Sequence, residues 1–256
     1  MTAIRRPARA PLAAGIVAAV LAWAPPAQAA LVLTDLTTRT ESFDTFDGTA
    51  ATVPTDFTAG GLFTFGSPGR VLTSGTSPYN STPGWYALND NGSTSDVAFG
   101  ARTNATNGSG TLTWAVTNGT GQPLTGLQLV FDVERYSTSG SGNRIDVTWS
   151  PDNVTYGTAG LAGDTQTTIG SGGTADTVLA DPVIIADRAV ALTQTIADGE
   201  TVYLRFFWNP VSGGARPHFG IDNLELTAVV PEPGSLALAG GAAVALLVRR
   251  GRRRRA

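Results

Sequence analysis

Four stretches of this chain alternate apolar and polar residues with period two. In TLTWAVTN, Thr111 to Asn118, the residues Leu112, Trp114 and Val116 point one way and the threonines the other. LQLVFDVE repeats the pattern with Leu127, Leu129, Phe131 and Val133. RIDVTWS does so with Ile145, Val147 and Trp149, and TVYLRFFW with Val202, Leu204, Phe206 and Trp208. Successive side chains of a strand face opposite sides, so alternation rich in β-branched and aromatic residues predicts strands with one buried face. Turn clusters such as NGTGQP, STSGSGN, SPDN and ADGE separate them. No stretch of the body has a helical period. The pattern predicts an all-β, jelly-roll-like antiparallel sandwich of roughly nine or ten strands.

Three local features refine this reading. IDVTWSPDNVTYGTA, Ile145 to Ala159, reads as one hairpin turning at Ser150-Pro151-Asp152-Asn153, where proline presets φ and Asp or Asn tolerate the turn. In HFGIDNLELTAV, Phe219 and Ile221 share a parity that Leu224 and Leu226 do not. A β-bulge near Asp222-Asn223 would return both pairs to the core. Leu161 to Pro182 is the loosest stretch and is expected to leave the sandwich as a long excursion.

Charge then divides the chain. All 17 basic residues are arginine. Arg5, Arg6 and Arg9 precede an apolar run from Leu12 to Trp23 and the small residues Ala27-Gln28-Ala29, the order of a secretory signal. Residues 1–29 are therefore expected to be removed between Ala29 and Ala30 by signal peptidase. The pair Arg5-Arg6 lacks the apolar residues that twin-arginine export expects after it. Between the two basic ends, eight arginines face nineteen carboxylates, a net charge near −11. A body of that sign repels phosphates, which argues against nucleic acid as a partner. The absence of cysteine removes thiol nucleophiles, iron–sulfur clusters and most structural zinc sites.

Candidate chemistry in the body is sparse. His218 is the sole histidine, so a Ser-His-Asp triad must use it, and RPHFGIDN places it in a loop or at a strand edge. Calcium, as a structural ion, is the more natural chemistry, because hard cations take several oxygen ligands. Asp44 and Asp47 in FDTFDG, and Asp222 and Asn223 at the expected bulge, are the candidate ligands, with Asn89, Asp90, Asn91 and Asp96 as further oxygens. None fits an EF-hand loop, and Asx turns account for the same residues. No other cofactor is called for. For sugar binding, Tyr79, Trp85, Tyr86 and Tyr136 lie near turns and are expected to be exposed, whereas Trp114, Trp149 and Trp208 fall on core parities.

The chain closes with Pro231-Glu232-Pro233, an apolar run from Gly234 to Val248, and the arginines Arg249, Arg250, Arg252, Arg253, Arg254 and Arg255. Prolines at 231 and 233 stop ladder and helix alike, and the arginine block would halt transfer on the cytoplasmic side of the inner membrane. This order of parts resembles the PEP-CTERM sorting signal of Gram-negative envelope proteins. The resemblance implies processing by an exosortase, a membrane-embedded cysteine transpeptidase, at or near Pro231-Glu232-Pro233. It also implies release or transfer of the upstream domain to the cell surface, often where exopolysaccharide is made. Leu236 to Val248, as a helix, reaches about 20 Å against a hydrocarbon core of about 30 Å, a short span that snorkelling arginines extend. SFDTFDG, VTWSPDNVTY and FGIDNLELTAV resemble the jelly-roll-like ectodomains attached to this signal.

The expected organisation is a signal peptide at 1–29, a β-sandwich at 30–229 and a sorting tail at 230–256. The first functional reading is a non-enzymatic surface or matrix protein associated with extracellular polysaccharide. The second is a carbohydrate-binding module, and the third a hydrolase built on two facing carboxylates.

Overall fold

The alternating stretches form strands, and the strands make two sheets packed face to face. The computed structural model describes residues 29–66, 69–76, 80–90, 93, 95–103, 108–173, 175–211 and 216–230. Residues 1–28 of the expected signal peptide, 1–29, and the tail from Pro231 lie outside the described residues. In chain order the first strands are β1 (Leu31–Leu33), β2 (Arg39–Glu41), β3 (Phe57–Gly61), β4 (Val71–Thr73) and β5 (Gly84–Asn89). Next come β6 (Val97–Arg102), β7 (Gly110–Asn118), β8 (Gly126–Thr138), β9 (Asn143–Ser150) and β10 (Leu161–Gly163). The last are β11 (Gln166–Ile169), β12 (Thr177–Leu192), β13 (Thr201–Pro210) and β14 (His218–Val229). Among the described residues the one helical turn is a 3-10 turn at Ala50–Thr52, so none is long and apolar enough to cross a membrane.

One sheet runs β1-β7-β13-β9-β11, with β3 also on β7; the other runs β10-β12-β8-β14-β6-β5-β4, with β2 also on β14. Pairing is antiparallel except at β1 beside β7 and β4 beside β5. The fold is the predicted jelly-roll-like sandwich. Its strands outnumber the nine or ten expected because short edge strands carry no legible alternation. Leu161 to Pro182 is a correction: it holds β10, β11 and the start of β12, and so belongs to the sheets. The SPDN turn is a second correction. β9 pairs with β11, and the returning segment keeps only a bridge between Trp149 and Gly157.

Between the sheets lie the residues whose parity marked them, including Leu112, Trp114, Val116, Leu129, Phe131, Ile145, Val147, Leu204, Phe206 and Trp208. Trp149, expected in the core, is only partly buried and donates its indole N–H to the Ala159 carbonyl at 2.6 Å. Aromatic rings bridge one end of the sandwich. Trp85 meets Trp208 edge-on at 5.1 Å and Phe99 at 5.0 Å, while Phe57 stacks on Trp114 at 4.8 Å. The SFDTFDG loop sends Phe43 and Phe46 into this cluster, and Phe43 takes a left-handed φ of 53° to reach it.

The bulge in β14 is present. Register shifts between Asp222 and Glu225, Asn223 has φ 51°, and Phe219, Ile221, Leu224 and Leu226 are all buried in the core. A second irregularity, between Ile185 and Arg188 of β12, lies on the other side of β8, with Asp187 at φ 56°. Asp132 of β8 serves both: one carboxylate oxygen accepts the Asp187 amide N–H at 2.9 Å, the other accepts Asn223 Nδ2–H at 3.1 Å. Asp132→Ala should therefore cost about 1–2 kcal/mol. Asp152→Ala, in a solvated loop, should cost less. Thermal melts of both variants check this ordering; equal shifts would contradict it.

Candidate functional sites on the two sheet faces

The outer face of the eight-stranded sheet is covered over β5, β6 and the adjoining ends of β8 and β14, whereas Ile184 of β12 and Glu225 of β14 are exposed. Register aligns Tyr86, Gly100, Gly220 and Glu134 in one row across β5, β6, β14 and β8. The two glycines leave room for large neighbours; a Cβ on Gly100 would lie 2.1 Å from Leu88 Cδ1. Leu72, Tyr86, Leu88, Ala98 and Tyr136 form a second, smaller core there, with Val178 packed against it. A hydrogen bond from Gly75 N–H to the Leu179 carbonyl, 2.7 Å, ties the turn after β4 to the start of β12 across this cluster.

Acidic groups are built into that covered face. Tyr136 donates its hydroxyl to Glu134 Oε2. Burial pushes the Glu134 carboxyl up to about 7; the Tyr136 hydrogen bond opposes the rise, and Asp96, Asp132 and Asp90 add to it. Burial likewise raises Asp222 to about 8, against the Asn223 amide and with help from Glu134, Asp96 and Asp44. His218 is fully buried, its Nδ1 3.0 Å from Ser137 Oγ, and its ring meets Tyr86 edge-on at 4.6 Å. Burial and nearby Arg102 hold it neutral, well below its usual pKa. The loop or edge position read for it is corrected: β14 lies inside the sheet, between β8 and β6. Ser137 Oγ also accepts the His218 amide N–H at 2.8 Å, so this serine–histidine contact sits in the interior. Glu134 and Asp222, 4% and 1% exposed, stand side by side on neighbouring strands rather than facing each other across a cleft.

The outer face of the six-stranded sheet is open. Its middle strand, β13, turns Tyr203, Arg205, Phe207 and Asn209 outward, all partly exposed. Arg205 sits in register between Thr113 of β7 and Thr148 of β9, and Phe207 between Thr111 and Asp146. The SPDNVTY loop folds back onto this face. Asp152 accepts Ser150 Oγ–H and the Val154 and Thr155 amides, and Asn153 takes φ 59°. The returning chain then lays the Tyr156 ring 3.1 Å from the Arg205 guanidinium carbon. Arg205 donates its Nε–H to Thr113 Oγ1 at 3.3 Å and forms no ion pair among the described residues.

Comparison with known proteins places the tail first. The family model of the PEP-CTERM protein-sorting motif matches residues 229–254. This chain carries a PEP-CTERM sorting motif. The motif begins at Val229, the last residue of β14, so sandwich and signal abut without a linker. It marks an exported protein processed at the membrane. No curated protein matches the chain. Among solved structures, the chain is similar to the K1 cleaved adhesin domain of Lys-gingipain from Porphyromonas gingivalis W83, at 16% identity and a TM-score of 0.42, covering 75% of this chain and 98% of that one. It is also similar to the CBM22-1 xylan-binding domain of Paenibacillus barcinonensis Xyn10C, at 11% identity and a TM-score of 0.34, covering 75% and 94%.

Within the body, Asp44 and Asp96 lie close enough to Asp222 for their charges to raise its pKa, while Asp47 stays within its own loop. Asp47 accepts the Thr49 amide and the Thr49 and Thr52 hydroxyls, which hold its pKa down. Asp44 accepts Ser42 Oγ–H and the Val97 amide. Asp222 and Asn223 turn to their own backbone and to Asp132. Among the described residues no group of three or more His, Asp or Glu is placed to hold a metal ion. The expected sugar platforms are corrected too: Trp85, Tyr86 and Tyr136 are fully buried, and Tyr79 lies outside the described residues. On the outer face of the six-stranded sheet the partly exposed rings are Tyr203, Phe207 and Tyr156. Their signal was the polar parity of TVYLRFFW, whose outward residues include two aromatics.

Because Asp222 is held protonated in the fold but titrates near its usual carboxylate value when unfolded, the folded state binds the extra proton. That contribution is complete below about pH 4 and is lost as pH rises toward 8. Asp222→Asn keeps an uncharged side chain of the same shape. Relative to the parent, it should gain roughly 3 kcal/mol or more between pH 4 and pH 9. Melting curves across that range check it, and a constant difference between variant and parent would contradict it.

Proposed function

We propose that this protein is an exported precursor held at the inner membrane by its tail and cut by an exosortase at or near Pro231-Glu232-Pro233. The sandwich then reaches the cell surface or extracellular matrix, where it has a non-enzymatic structural or adhesive role among exopolysaccharide. The match of residues 229–254 to the sorting motif carries this reading. Geometry at the junction supports it. Val229 pairs with Gly126, and its carbonyl accepts the Thr125 amide at 2.7 Å, so the last strand is complete before the motif's prolines begin. Cleavage there leaves the described core residues in place. Burial of His218, Glu134 and Asp222 supports the non-enzymatic part, because none of these groups meets a substrate from solution. A second reading, a carbohydrate-binding module, is favoured by the open aromatic face of β13.

Replacing Pro231-Glu232-Pro233 with three alanines should leave export intact and abolish processing. Full-length, membrane-retained precursor should then accumulate in cells that possess an exosortase. Deleting Arg249 to Ala256 should instead impair retention, because so short an apolar run lacks its stop. Fractionation and immunoblotting read both effects. Normal processing of the alanine variant would refute the reading.

A further inference from the structure

We propose that the open face of the six-stranded sheet, centred on Arg205, is a docking surface for a polysaccharide that bears uronic-acid carboxylates at intervals. This rests on the reading of the body as a matrix-facing module and names where, and through which chemistry, it meets the matrix.

The face has three complementary parts. Tyr203 and Phe207 stand four residues apart on one side of β13, about 13 Å between attachment points, and both keep ring surface exposed. Sugar rings present C–H faces that pack on such rings while their hydroxyls remain hydrated. Beside them the partly exposed Thr111 and Thr148, with Asn209 further along, supply hydroxyl and amide groups.

The third part is charge. Of the body's arginines, Arg39, Arg102, Arg144 and Arg188 lie against Asp35, Asp176, Asp146 and Asp164. Arg70 and Arg135 donate to backbone carbonyls, and Arg216 is buried. Arg205 is held on an exposed face by a ring and a threonine hydroxyl. On that face Asp146 is the nearby carboxylate, and Arg144 and Asn209 already occupy it. Asp152, in the loop over this face, is satisfied by Ser150 Oγ–H and the Val154 and Thr155 amides, so Arg205 is the guanidinium here that has no carboxylate partner among the described residues. Charges beyond about 8 Å are largely screened at physiological ionic strength, so a carboxylate approaching Arg205 meets its guanidinium more than the charge of the distant body. Guanidinium also presents a planar fork that fits a carboxylate. A single such group suits sparse carboxylates, whereas a dense polyanion would also meet the repulsion of the whole body.

The test uses the full-length chain in mild detergent, passed over immobilised glucuronoxylan and over the same polymer after its carboxyls are reduced to alcohols. The parent should be retained on glucuronoxylan. Retention should weaken about tenfold on the reduced polymer and about tenfold for Arg205→Gln on the native one. Added salt should erase that difference. Tyr203→Ala with Phe207→Ala should lose retention on both polymers, with far-ultraviolet circular dichroism and melting confirming an intact sandwich. Equal retention of parent and Arg205→Gln on both polymers would overturn the proposal. So would absence of retention of the parent on glucuronoxylan. Either failure leaves the sorting reading untouched, because tail processing is measured separately in cells.

Discussion

The bulge at Asn223 sets the side on which every later residue of β14 falls. Phe219 and Ile221 enter the core on one parity and Leu224 and Leu226 on the other, and one extra residue reconciles them. Without it, two leucines would face outward, at a cost of roughly 1.5–3 kcal/mol each. The extra residue needs a left-handed backbone, which Asn tolerates better than most side chains, and a partner for its polar groups. Asp132 supplies that partner and, through its second oxygen, pins the irregularity in β12. The longest strands of the larger sheet are thus locked in register at one carboxylate.

That register gives the two sheets different outer faces. Glycines in the middle of the larger sheet let Tyr86, Leu88 and Tyr136 pack down on it, and the chain closes over them. Carboxyls trapped in this second core are held partly neutral, and His218 is kept uncharged. Among the described residues the SPDNVTY loop lies over the smaller sheet, and aromatic, hydroxyl and guanidinium groups of its middle strands stay partly exposed. Buried carboxyls of raised pKa lie on one face, and the partly exposed aromatic and guanidinium groups of β13 lie on the other. Address and body are equally separate, since the sorting motif starts where the last ladder ends.

Much of this was legible in the sequence because period two reports sidedness directly. The inward rows of β7, β8, β9 and β13 were readable, as was the bulge, whose parity break has no other economical explanation. Alternation does not say what lies over the second face of a sheet. Tyr86 and Tyr136 therefore read as exposed platforms, although glycines opposite them make a second core. His218 follows a proline and reads as a loop residue, yet a neighbouring strand on each side buries it. β12 was missed because Asp181-Pro182 looks like a break, and a sheet tolerates that proline where the register shifts between Val178 and Val183. Tyr203 and Phe207 were passed over because their stretch was read for its inward residues. Oxygen-rich loops pointed to calcium; Asp47 finds amide and hydroxyl donors in its own loop, Asp44 takes the Val97 amide from β6, and Asp222 takes the Asn223 amide at the bulge.

The central claim is that the sandwich reaches its destination by losing its tail. Intact-mass spectrometry of the mature protein, isolated from cells that possess an exosortase, measures this directly. The account predicts a chain beginning at Ala30 and ending at or near Pro231-Glu232-Pro233, with the last strand of the sandwich intact. A mature chain that still ends at Ala256 would contradict it.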